Sequence, residues 1–104
     1  MNIVDERYAA TWGTSVGQDC IDFDITLATW VAERLEFMAK HQHGWPMDLV
    51  ESNEEWVALL SKRASSLRDY ITYRHDWSPE NVDKIEGGQK AMAWVAKVMP
   101  YLWD

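Results

Sequence analysis

Three apolar stripes recur at three- and four-residue intervals along residues 25–99 and are separated by two strongly punctuated breaks, which confines the chain to a helical architecture. In the first stripe, Ile25, Ala28, Ala32, Leu35 and Ala39 predict a helix over about 25–42, with Asp24 as N-cap. Gly44-Trp45-Pro46 ends it, because a proline disfavours helical geometry at the residue before it. Ser52-Asn53-Glu54-Glu55 is a capping box, in which the serine hydroxyl and the Glu55 carboxylate satisfy backbone donors at the start of a helix. Behind it Trp56, Leu59, Leu60, Arg63, Ala64, Leu67, Tyr70 and Ile71 share one face of a helix over about 53–75. The opposite face carries Ser61, Lys62, Ser65, Arg68, Asp69 and Thr72.

The third stripe runs Val82, Ile85, Gln89, Met92, Ala96 and Met99, in a helix over about 79–99 with Ser78 as N-cap and Pro79 at the first helical position. Gly87-Gly88 lies inside it at a cost of about 1 kcal/mol per glycine, so the pair reads as a point of close approach to another helix or a kink. No alternating run suggests a strand. Residues 21–104 are expected to form an antiparallel three-helix bundle. Residues 1–20 form an extra amino-terminal tail or lid, with a short turn near Val4–Ala10 and a mobile loop at Gly13, Thr14, Ser15 and Gly17.

At 104 residues the chain has room for one core without covalent staples. The lone Cys20 cannot form an internal disulfide, which suits a reducing compartment. No apolar run approaches the ~20 residues of a membrane span, and the amino terminus lacks the basic and apolar regions of a signal sequence. A soluble, unprocessed cytoplasmic protein with no membrane partner is expected.

The formal charge of −7 is lopsided. Residues 1–60 hold 11 acids against 3 bases, and residues 61–104 hold 6 acids against 7 bases. Lys62, Arg63, Arg68 and Arg74 fall on different sides of a helical wheel and make no basic stripe, so direct nucleic-acid binding is not expected. An acidic half favours a basic partner instead.

The first helix is apolar beyond its stripe, since Leu27, Trp30, Val31, Phe37 and Met38 widen the apolar arc to about two thirds of the wheel. Such a helix needs cover on two sides. The expectation is that Ile3, Val4, Tyr8 and Trp12, together with Leu102-Trp103, fold over it. The alternative is that part of it, including Trp30 and Phe37, is an interface with a partner or a second copy, as in a homodimer.

The arrangements that would carry catalysis do not assemble. His41 and His43 would point about 200° apart on a continuing helix, so with His75 and Asp76 they make no metal site, and no metal or other cofactor is expected. Cys20 has no partner histidine at a motif spacing, and there is no P-loop, dinucleotide turn or nucleophile elbow. Asp22 and Asp24 sit where a helix start favours negative charge. No catalytic residues are assigned, and the chain is expected not to be an enzyme. Asp48, Glu51, Glu54 and Glu55 span a loop and a helix start beside Trp45. They serve capping and solubility, or form an acidic patch that imitates phosphates and docks on a Lys/Arg-rich surface with Trp45 as anchor.

Asp24-Ile25-Thr26-Leu27-Ala28, Val31, Arg34-Leu35 and Phe37 form one block of a further pattern. It continues through Gly44-Trp45-Pro46, Glu54-Glu55-Trp56, Lys84-Ile85-Glu86-Gly87-Gly88 and Tyr101-Leu102-Trp103-Asp104. In these residues the chain resembles a functionally uncharacterised family of small helical proteins of tailed bacteriophages and prophages, over about residues 20–104. It differs from that pattern in a longer loop at Met47–Ser52 and in the small residues Gly88 and Ala93. The resemblance implies an origin rather than a mechanism. Small acidic phage proteins of this kind, anti-CRISPR proteins among them, act by binding a host protein. The expected function is therefore inhibition, in the host bacterial cytoplasm, of a nucleic-acid-handling protein such as a CRISPR effector. Trp45, Asp48, Glu51, Glu54, Glu55, Trp30 and Phe37 would bind its basic nucleic-acid surface. The alternatives are a phage structural or assembly protein that self-associates through the first helix and, least favoured, a small metal-dependent enzyme.

Overall fold

The computed structural model describes residues 3–103, with side chains described from Arg7 to Trp103. Its helices are α1 (Ile3–Ala10), α2 (Ser15–Cys20), α3 (Phe23–His41), α4 (Asn53–Tyr73) and α5 (Val82–Val98), followed by a 3-10 turn at Met99–Tyr101. There is no strand among the described residues, and α3, α4 and α5 form an all-α three-helix bundle. The long helix α4 is central, and α3 and α5 each pack along it.

The first two stripes form the core as read. Ala28, Ala32 and Leu35 of α3 are buried against Trp56, Leu60, Ala64 and Leu67 of α4. Ser52 caps α4 by accepting from the Glu55 N–H at 3.1 Å, and the Glu55 carboxylate accepts the Glu51 N–H at 3.1 Å. The capping box thus closes one residue earlier than its usual form.

The third stripe differs. The buried residues of α5 are Ile85, Gly88, Ala91 and Val98, while Gln89, Ala96 and Met99 are exposed. The cause is the close approach anticipated at the glycine pair: a Cβ on Gly88 would overlap Cβ of Tyr70 on α4, whereas one on Gly87 would meet nothing within 4 Å. Small residues set the contact, and a reading that follows the largest apolar side chains rotates the helix away from it.

Two helix starts also move. α3 begins at Phe23 behind Asp22, whose φ of 51° lies in the left-handed region that aspartate tolerates better than most residues. Asp24 is in the first turn rather than at the cap. Ser78-Pro79 belongs to a turn before α5, in which the Asp76 carboxylate accepts from the Ser78 N–H and the Asn81 amide at 3.1 and 2.8 Å.

The amino-terminal segment is helical where a loop is expected. Thr14 caps α2 by accepting from the Gly17 N–H at 3.0 Å, and Gln18 donates to the Trp12 carbonyl and the Tyr8 hydroxyl. Its described aromatic residues are not enclosed against α3. The side chain of Tyr8 is 50% exposed and that of Trp12 48%; those of Ile3 and Val4 lie outside the described ones. Among the described residues α2 packs on α3, and the molecule extends to 60 × 37 × 20 Å with a Cα radius of gyration of 17.3 Å. A compact chain of this length has about 13 Å.

Candidate docking surface

The arginines of α4 and its C-cap are engaged within the bundle. Arg68 of α4 grips the Glu36 carboxylate of α3 with both Nε and Nη2, at 3.2 and 2.7 Å. Arg74 donates to Asp24 at 2.8 Å and reaches Asp22 at 3.3 Å, and the Tyr70 hydroxyl donates to the other Asp24 oxygen at 2.7 Å. The Tyr70 hydroxyl, followed by Arg74, holds the Asp24 carboxyl below its ordinary value of 3.8. Arg63 lies over the Trp94 ring at 5.4 Å. Three of the four bases that might have faced a polyanion therefore fasten α3 to α4 or pack on an indole.

Asp24 and Tyr70 border an apolar groove of about 290 Å³, lined also by Leu27, Ala28, Leu67, Gly88, Gln89 and Met92. Of its polar lining, Asp24 and Tyr70 are already bonded to each other, and Asp24 also to Arg74; the third member is the amide of Gln89. The groove offers no free acid, base or nucleophile to a ligand. Among the described residues no three His, Cys, Asp or Glu side chains gather as metal ligands.

The exposed aromatics are more informative. Of seven tryptophans only Trp56 is fully buried, with Trp94 stacked on it at a centroid distance of 5.7 Å. Trp12, Trp30, Trp45, Trp77 and Trp103 are all exposed. Two groups of residues emerge.

The first lies at the loop end of the bundle. Gln42, just beyond α3, accepts from the buried Trp56 Nε1–H at 3.4 Å and donates to the Trp103 carbonyl at 3.0 Å. It joins α3, α4 and the carboxyl-terminal segment. Around it open two adjoining hollows, of about 140 Å³ beside Trp45, Pro46 and Tyr101 and about 240 Å³ beside Phe37, Met38 and His41; Trp103 lines both. Leu102 packs on the core as expected, but Trp103 remains 70% exposed. Along the same loop Asp48 and Glu51 are exposed and line a shallow hollow with Met47 and Leu49. Glu54 is exposed on the first turn of α4. No described base pairs with Asp48, Glu51 or Glu54, whereas the Glu55 carboxylate is engaged in the cap.

The second group is the outer face of α3, where Trp30 is 57% exposed beneath the Arg34 guanidinium at 3.9 Å. Phe37, 65% exposed, stacks with His41 at 4.4 Å. The seven residues singled out in the sequence therefore divide: Trp45, Asp48, Glu51, Glu54 and Glu55 belong to the loop end, Trp30 to the face of α3, and Phe37 to both. Gln42 is not singled out by the sequence, and Trp103 is expected there as cover for the first helix rather than as part of this group. A glutamine between two histidines carries no signal of its own, and the bond that defines its role spans 61 positions. Protein-family models, curated proteins and solved structures show no match to this chain.

Proposed function

We propose that this chain works by contact, as a phage- or prophage-type inhibitor. Its acidic loop end would dock on the basic nucleic-acid-binding surface of a host protein such as a CRISPR effector and exclude the nucleic acid. The observation that carries this reading is the contrast in carboxylate use. Asp22, Asp24 and Glu36 are engaged by arginines from α4, whereas Asp48, Glu51 and Glu54 face solvent without a base, on a loop that also exposes Trp45. Unpaired carboxylates around an aromatic anchor suit a Lys/Arg-rich partner, because charge complementarity speeds and orients encounter while the ring supplies buried area.

The test is capture from a bacterial host lysate, with captured proteins identified by mass spectrometry. The expected partner handles nucleic acid, leaves as ionic strength rises, and is displaced by added nucleic acid. Asp48→Lys/Glu51→Lys/Glu54→Lys should abolish capture with the helical circular dichroism unchanged, since Glu55 and the cap stay intact. Capture that survives both high salt and this triple reversal would refute the reading.

A further inference from the structure

We infer that the outer face of α3 pairs with the same face of a second copy, antiparallel and in one register. The face is the row Phe23, Leu27, Trp30, Arg34, Phe37 and His41. Its intervals are 4, 3, 4, 3 and 4, the a/d spacing of a two-helix seam. At 100° per residue the six fall within an arc of roughly 80°, centred about 145° from the buried Ala28, Ala32 and Leu35. The row therefore lies nearly opposite the core, and its exposures are large: 53% for Phe23, 38% for Leu27, 57% for Trp30 and 65% for Phe37.

Area and charge identify the occupant. Side chains of these sizes and exposures offer roughly 500 Å² per copy, so a pair would bury about 1,000 Å², the lower end for a specific interface. A parallel pair would set Arg34 against Arg34 and His41 against His41 within an apolar seam. The antiparallel pair matches every a with a d, placing Phe23 opposite His41 of the second copy, Leu27 opposite Phe37 and Trp30 opposite Arg34. The guanidinium then meets a second indole in the geometry it already adopts on its own Trp30 at 3.9 Å. Antiparallel helix dipoles favour the same arrangement. The seam is separate from the carboxylates of the loop end, so this inference holds whether or not the proposed function does.

Sedimentation equilibrium on the full chain tests the pairing. A dimer dissociating at about 10 µM is expected for an interface of this size, and Trp30→Glu/Phe37→Glu should be monomeric at about 100 µM with unchanged helical signal. Asp48→Lys/Glu51→Lys/Glu54→Lys should dimerise like the wild type, which separates failure here from failure of the docking proposal. Register is read by oxidative cross-linking in a Cys20→Ser background. Leu27→Cys chains mixed with Phe37→Cys chains should cross-link to each other, and neither should cross-link alone. A wild-type monomer at about 100 µM, or cross-linking of each variant only with itself, would overturn the inference.

Discussion

The two faces of α3 differ in a way that its composition conceals. The inner face is built from small residues: Ala28 and Ala32 are almost wholly enclosed, and Leu35 is the one large side chain among its fully buried residues. The outer face carries Phe23, Trp30 and Phe37, each more than half exposed. Size is inverted relative to burial. Small residues let α3 lie close to α4, as Gly88 and Ala91 let α5 do from the other side, and on α3 itself that proximity leaves no ring facing inward. The aromatics of α3 are consequently displaced outward, where they would be free to meet the second copy proposed above.

Substitutions can break or sharpen this contrast. The largest effect belongs to Trp56, the one tryptophan the inner packing encloses: Trp56→Ala should cost about 3–5 kcal/mol of unfolding free energy in denaturant titration. Next comes the glycine pair. Gly88→Ala forces α5 away from Tyr70 and should cost about 1–3 kcal/mol, whereas Gly87→Ala, with open space before it, should be neutral or stabilise by up to about 1 kcal/mol. If both were equally tolerated, close approach would not be what selects the inner face.

The smallest effect is at the edge between the faces. Asp24→Asn should cost about 1 kcal/mol at neutral pH, a figure already reduced for the partial exposure of the carboxylate. Because the folded-state pKa of Asp24 is lowered, its contribution is complete above the ordinary carboxylate value of 3.8 and disappears as pH falls through the lower folded one. Tyr70 is raised above its ordinary 10.0, chiefly by its bond to Asp24, so the same link also weakens as pH rises past 10. Thermal melts across pH should show both limbs in the wild type and weaken them in the variant, where Glu36 and Asp76, whose carboxyls are also held below their ordinary values by Arg68 and by Ser78 and Asn81, keep part of the acid limb.

Much of the fold was legible because it depends on local chemistry. Helical spacing gave α3 and α4 and most of their core residues, the capping box gave the start of α4, and the cost of glycine inside a helix pointed to the Gly87-Gly88 pair as a contact or a kink. The rotation of α5 was not legible, since Gly88 and Ala91 bury little area themselves and act only through Tyr70 and the helix opposite. Asp24 at the start of an apolar run reads as a cap, yet it is drawn into the bundle by Tyr70 and Arg74, 46 and 50 positions away. The half-exposure of Tyr8 and Trp12 was not legible for a related reason: apolar residues suggest a cover, but a pattern of residue types does not specify which surface they meet.

At the centre of this account is a three-helix body that is complete without the outer face of α3. The most direct test compares chemical denaturation, at concentrations low enough to keep the chain monomeric, of Trp30→Ser/Phe37→Ser with that of Leu35→Ala. The outer pair should leave the unfolding free energy within about 0.5 kcal/mol of wild type, and Leu35→Ala should lower it by about 2–5 kcal/mol. Comparable losses from both would mean that the rings are packed within the monomer and are not free to meet a partner.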